Sequence, residues 1–183
     1  MIEGRGLCYI GIGQSALGSV LLCDCGLKES LAFDVAFDKF CDGFVNPGPY
    51  WEHVVEYVEA SLKFPNTVFL IRYEDLMERP VHNVKKLADF IEQPFSMAEE
   101  DQGVVERIVS FCSFDKLSNL KVNKTETYHS ENTLFTNDTF FRYAKVGDWQ
   151  NHLNDEQRER IDGITRQKFK DIGSCLSDYL SSI

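Results

Sequence analysis

Two cations, Arg142 and Lys145, flank the uncharged pair Tyr143 and Ala144 in the segment FFRYAKVGDWQNHLN, Phe140 to Asn154. Basic groups in an irregular loop suit an anion, because charge-assisted hydrogen bonds from Arg and Lys fit phosphate oxygens. Tyr143 and Ala144 supply neither a cation nor a bare backbone, so the loop has only part of that chemistry. A second cluster, Arg72-Tyr73-Glu74-Asp75, follows the apolar run Thr67-Val68-Phe69-Leu70-Ile71. The carboxyl end of a parallel strand is where open sheets bind ligands, and a tyrosine there can stack on or hydrogen-bond a nucleotide. Glu74 and Asp75 suit capping of the next helix better than ligand contact. A third cluster, Cys112-Ser113-Phe114 with Leu117, sets a hydroxyl and a ring at a helix end. It reads as a plain terminus, or as a contact for an adenine-like ring.

Other chemistries find little support. His53, His82, His129 and His152 have no nucleophile or acid partner at a recognisable motif spacing, and no paired-carboxylate or nucleophile-elbow pattern occurs. Gly13-x-x-x-x-Gly18-Ser19-Val20 has phosphate-loop spacing, but Ser stands where the loop needs lysine and Val where it needs the metal-binding hydroxyl. The six cysteines, at 8, 23, 25, 41, 112 and 175, make C-x-C rather than C-x-x-C and no second ligand pair. No metal is expected, and reduced thiols fit a cytoplasmic location. Asn123-Lys124-Thr125 and Asn137-Asp138-Thr139 are formal glycosylation sequons, expected to be chance matches.

At 183 residues, 43 % hydrophobic and with fourteen Phe, the chain is long enough for one domain with a sizeable core. A net charge of −10 argues against nucleic acid or an anionic membrane as partner, so any anion site must be a local basic pocket. No apolar run is long enough to cross a bilayer, and the first residues make a poor signal peptide.

Residues 1–30 are Gly-, Ser- and Leu-rich and aperiodic, and are expected to be an atypical or disordered N-terminus. From 31 onward, Phe33, Phe37, Phe40, Cys41 and Phe44 recur at helical spacing with Gly43 near the stop. Trp51, Val54, Val55, Val58 and Leu62 form the face of a second helix. Residues 67–71 read as a parallel strand buried on both faces, the one convincing strand of the chain. Pro80 opens a helix with Val81, Val84, Leu87, Ala88 and Ile91 on one face, and Val104, Val105, Ile108, Val109 and Cys112 mark another. Residues 121–139 are expected to be a long loop. Asn154 and Gln157 form a capping box for a last helix carrying Ile161, Ile164, Phe169 and Ile172.

In order, FDKFCDGFVNPGPYWEHVVEY, FPNTVFLIRYEDLMERPVHNVKKLADFI, GVVERIVSFCSFDKLSNLKVNK and FFRYAKVGDWQNHLNDEQRERID resemble the carboxyl-terminal half of the cytosolic sulfotransferases, most like the plant members. RYEDL, CSFDKL and KVGDW carry the resemblance, which runs from about Leu31 to Gly173. It implies an α/β, P-loop-like fold around a five-stranded parallel sheet flanked by helices, with this chain, 31–183, mostly helical and holding few of the strands. It implies the donor 3′-phosphoadenosine 5′-phosphosulfate (PAPS) and a small hydroxyl acceptor. It implies donor contacts from Tyr73, Cys112, Ser113 and Phe114. Arg142 falls at the start of the family's Arg-Lys-Gly segment for the 3′-phosphate, where Tyr143 and Ala144 replace Lys and Gly.

The family's Pro-Lys-Ser-Gly-Thr-Thr-Trp type loop, its catalytic histidine and its Arg…Ser stretch have no counterpart here, so no catalytic residue is assigned. The chain is expected to be truncated relative to the family, inactive alone, and weak or lost in binding PAPS or adenosine 3′,5′-bisphosphate. The alternatives are a nucleotide- or partner-binding remnant and an unstable product, since one isolated strand would leave two edges unpaired. The dimer motif of the family's animal members is degraded at Gln150, Asn154, Asp155 and Glu159, so a monomer is expected, or pairing with a full-length relative.

Overall fold

Aromatic residues at helical spacing generate the core. In the computed structural model, which describes residues 6–10, 32–44, 49–130, 133–141 and 144–170, strand β1 (Gly6–Ile10) comes first. Helices α1 (Phe33–Cys41) and α2 (Tyr50–Lys63) follow. Phe37 and Phe40 of α1 and Trp51, Val54 and Val58 of α2 are buried together. The α1 stop is a glycine-dependent turn. Phe44 N–H donates to the Lys39 carbonyl at 2.8 Å and Gly43 N–H to Phe40 at 3.0 Å, with Gly43 at φ 87°. That left-handed conformation costs a residue without Cβ nothing. Phe44 itself lies outside the core, exposed beyond the helix end.

Strand β2 (Val68–Arg72) leaves α2 and runs parallel to β1, in register from Gly6 opposite Val68 to Ile10 opposite Arg72. The expectation of one strand is therefore corrected. Residues 6–10 show no alternation and are bordered by glycines, so their strand state comes from the pairing itself, which local pattern does not reveal. The rest of the 1–30 segment, including the Gly13–Val20 spacing, lies outside the described residues. The two faces of β2 meet different layers. Leu70 packs on the aromatic core, while the Phe69 ring lies 5.2 Å from that of Phe90. Burial on both faces is nevertheless only partial, because Val68 to Ile71 are all half-buried and only Arg72 is fully covered. Among the described residues β1 is the only strand paired with β2.

Beyond β2 come α3 (Tyr73–Glu78), α4 (Pro80–Phe90), α5 (Met97–Asp101), α6 (Val104–Phe111), α7 (Phe114–Ser118) and α8 (Lys121–Thr125). Pro80 takes the first helical position, as its missing N–H allows. On α4, Ala88 is buried while Val81, Val84, Leu87 and Ile91 are half-covered. Helix α5 is an addition to the expected set, opened by a Ser96–Glu99 capping box after Pro94. The supposed loop 121–139 is also corrected. It holds α8, an antiparallel hairpin of β3 (Thr127–Ser130) with β4 (Thr133–Thr136), and a 3₁₀ turn over Asn137–Phe140. Elements of four or five residues are too short to show periodicity. The two sequon asparagines are engaged, Asn123 donating to the Leu117 carbonyl at 2.8 Å and Asn137 to Val122 at 3.0 Å.

The last helix, α9 (Asp155–Phe169), opens with the expected box. Asn154 accepts from the Gln157 N–H at 2.9 Å, and Gln157 accepts from the Asn154 N–H at 3.1 Å. It closes over α1 and α2. Phe169 is buried with them, Ile161 and Ile164 pack at the margin, and the Trp51 indole N–H donates to Thr165 at 2.9 Å. Gln157 reaches Asp34 at 2.9 Å, Arg160 pairs with Asp38, and Lys168 pairs with Glu52. Such exposed pairs contribute little energy individually, about 0–1 kcal/mol, but fix the helix in rotation. Ile172 lies outside the described residues. No helix among them is long and apolar enough to cross a membrane.

Candidate functional site

The chain turns from strand to helix without a loop at the carboxyl end of β2. Arg72 is the last strand residue, still extended at φ −84° and ψ 146°, and Tyr73 is the first of α3. The buried Arg72 guanidinium grips Asp75 with both arms, Nε to Oδ2 and Nη2 to Oδ1, each at 2.8 Å. Arg79 reaches the same carboxylate at 3.6 Å. Asp75 was expected to cap the helix. It pairs with the strand instead, and α3 has no side-chain cap. The Arg72 hydrogen bonds hold its carboxyl below the ordinary range, partly opposed by burial.

Asn83, buried on α4, closes the corner by donating to the carbonyls of Asp75 at 2.7 Å and Arg79 at 3.0 Å. From sequence Arg72 was named in the cluster Arg72-Tyr73-Glu74-Asp75 without a role, and Asn83 was passed over. The available signal for the pair was an arginine ending an apolar run with an aspartate three residues on, whereas Asn83 lies among the other polar residues of PVHNVKKLADF and nothing local marks it. Tyr73 is half-buried, and burial pushes its hydroxyl above the ordinary value, with the Glu74 charge adding to the effect.

The second cluster sits between α6 and α7. Cys112 ends α6, its N–H donating to Ile108 at 2.9 Å, and its side chain is exposed. Ser113 is extended and caps α7, its hydroxyl oxygen accepting from the Lys116 N–H at a long 3.4 Å. Capping uses an acceptor site of that oxygen, and the O–H can still donate. The Phe114 ring lies 6.0 Å from the Phe141 ring at 55°. This contact brings the 112–114 stretch against the start of the basic loop. The helix that Tyr73 opens is linked to this cluster through intervening helices, α3 packing on α4, α4 on α6, and α6 on α7.

Arg142 and Tyr143 lie outside the described residues. Ala144 has φ 47°, a left-handed conformation that an L-residue with a Cβ takes at a cost. After Gly147, Asp148 is buried, accepting from Asn151 at 3.1 Å and standing 3.3 Å from His152 Nε2. Trp149 lies against the core with the Arg158 guanidinium 5.3 Å from its ring centre. Gly147, Asp148 and Trp149 thus anchor the loop. The other histidines are peripheral: His53 is exposed beside Tyr57, His82 is exposed, and the His129 side chain lies outside the described residues.

Fold and site together define an α/β protein with one candidate ligand group, Tyr73, at the carboxyl end of a parallel strand and a second cluster between α6 and α7. A family model described as "Sulfotransferase domain" matches residues 22–173. The flavonol 3-sulfotransferase of Flaveria bidentis is 44% identical over 149 residues, covering 81% of this chain and 48% of that protein. The cytosolic sulfotransferase 16 of Arabidopsis thaliana is 41% identical over 144 residues, covering 78% and 43%. Among solved structures, a mouse sulfotransferase complexed with PAP superposes with a TM-score of 0.74 at 20% identity, covering 98% of this chain and 63% of that one. Retinol dehydratase in complex with androsterone and inactive cofactor PAP gives 0.71 at 19%, covering 91% and 48%. This chain belongs to the sulfotransferase family and has the α/β sulfotransferase fold. It spans about half the length of the curated relatives it matches.

Proposed function

We propose that these 183 residues form the nucleotide-side wall of a PAPS site in a cytoplasmic, plant-type sulfotransferase unit whose acceptor is a small hydroxyl compound such as a flavonol. Tyr73 and Phe114 take the adenine, Cys112 and Ser113 line its edge, and Arg142 takes the 3′-phosphate. Tyr143 and Ala144 stand where the family has Lys and Gly. The ring contact between Phe114 and Phe141 carries this proposal, since it sets the stretch read as the adenine contact against the residue that precedes Arg142 in sequence.

Donor binding by this wall is weak. Loss of the lysine removes a charge-assisted contact worth about 1.5–3 kcal/mol. Ala144 keeps the backbone turn that a glycine would make, with a Cβ added. In the transfer, the sulfur–oxygen bond to the donor phosphate breaks as a new one forms to the acceptor oxygen, whose proton must pass to a base. No residue of this chain is assigned as that base, and the 183 residues alone turn over nothing.

Calorimetry with adenosine 3′,5′-bisphosphate tests the wall. Binding weaker than about 1 mM, or −4 kcal/mol, removes the nucleotide role. A PAPS-dependent assay with flavonol and steroid acceptors tests the inactivity, and turnover lost on Arg142→Ala would overturn it.

The half-covered strand Val68–Ile71 favours a second reading, a wall that works against a partner chain such as a full-length relative. Light scattering of the chain alone and mixed with that relative separates the two. A monomer in both samples refutes pairing.

A further inference from the structure

The buried polar corner at the end of β2 is more elaborate than chain reversal requires. A parallel strand could pass into a helix with water on the free backbone groups and no buried charge. Here a guanidinium is taken out of water, a cost met only when its partner's geometry is good. The fork from Arg72 to Asp75 brackets Tyr73 and Glu74, closing a ring of side chains around the first helical residues. Asn83 then joins α3 to α4 through two carbonyls. Residues 72 to 75 are thereby fixed at both ends, with Tyr73 held half-buried between them.

We infer that Asp75 and Asn83 are positioning residues, with the Arg72–Asp75 fork and the Asn83 bridge together aiming the Tyr73 phenol at the ligand edge of the sheet. This rests on the donor-site role proposed for Tyr73, and concerns what orients that side chain. A rigid aromatic contact loses little conformational entropy on binding a planar base, whereas a swinging one must be ordered by the ligand. The fork supplies that order in advance, and it contacts no ligand itself.

The test labels the tyrosine ζ-carbons of the full chain with ¹³C and assigns Tyr73 by Tyr73→Phe. In Asp75→Ala the Tyr73 resonance shifts, and its titration falls towards the ordinary tyrosine value near 10 as the ring swings into water. Tyr57, in the remote core margin, is unmoved. Asp75→Glu, which can still meet the guanidinium, restores part of the wild-type position. If Asp75→Ala does not fold, Asp75→Asn keeps one acceptor oxygen and is expected to move Tyr73 the same way by less. A folded variant in which Tyr73 keeps its resonance and titration overturns the inference.

Adenosine 3′,5′-bisphosphate is then added to each chain. Affinity falls by about tenfold in Asp75→Ala if Tyr73 serves the nucleotide. Wild-type Tyr73 unresponsive to the nucleotide defeats the donor reading alone, while the label still decides whether the fork aims the ring.

Discussion

The helical clamp of α1, α2 and α9 and the proposed wall, at the end of β2 and between α6 and α7, are built on opposite principles. The clamp joins residues far apart in sequence: Trp51 to Thr165 across 114 positions, and Gln157 to Asp34 across 123. Its central aromatic side chains are buried with almost no exposure, Phe40 at 0% and Trp51 at 2%. The wall is held by short-range polar links, Arg72 to Asp75 at three positions and Asn83 to Asp75 at eight. Among the described residues its candidate ligand groups, Tyr73, Cys112, Ser113, Phe114 and Ala144, are half-buried or exposed, and Ala144 sits in a conformation unfavourable to its own side chain. Packing in the clamp serves stability. The wall keeps its groups accessible, and local hydrogen bonds take the place of burial.

Breaking the clamp should give the largest effect. Trp51→Ala removes a buried ring and its hydrogen bond and is expected to cost about 3–5 kcal/mol in a urea melt. In the wall, a substitution should act on binding instead. Tyr143→Lys with Ala144→Gly, restoring the family's cation and bare backbone, should tighten adenosine 3′,5′-bisphosphate by about 1.5–3 kcal/mol, roughly 10- to 150-fold by calorimetry. Unchanged affinity would detach the basic loop from the nucleotide role.

Acid should find the wall's weak point. The folded-state Asp75 carboxyl is held below its unfolded value, so its contribution is complete above about pH 4 and is lost as pH falls through the lower, folded value. Asp75→Asn should flatten that limb of a pH–stability curve. Asn154→Ala, which removes the α9 cap, should cost about 1 kcal/mol. The smallest change has the opposite sign: Ala144→Gly should raise stability by about 0.5–1 kcal/mol.

Legibility in the sequence followed the same division. The clamp was readable because helical spacing of Phe33, Phe37 and Phe40, the Gly43 stop and the Asn154–Gln157 box are local signals of the structure they produce. The order of RYEDL, CSFDKL and KVGDW was likewise enough for the family. What escaped was decided by partners distant in sequence or by elements too short for a period. Strand β1 exists through its pairing with β2, and the 127–136 hairpin has four-residue strands. At the site, Tyr73 was legible as a type at a strand edge, while Ser113, read at the end of one helix, caps the start of the next, α7. The assignment of Asp75 to a cap failed because an arginine one residue before the helix offers a stronger, bidentate partner than the backbone amides.

The span between α1 and α9 has a consequence during synthesis. A ribosome adding about 5–20 residues per second exposes Phe37, Phe40 and Trp51 well before Phe169 is made. For those seconds the aromatic faces of α1 and α2 wait for their cover, and a chaperone at the exit tunnel would meet them before α9.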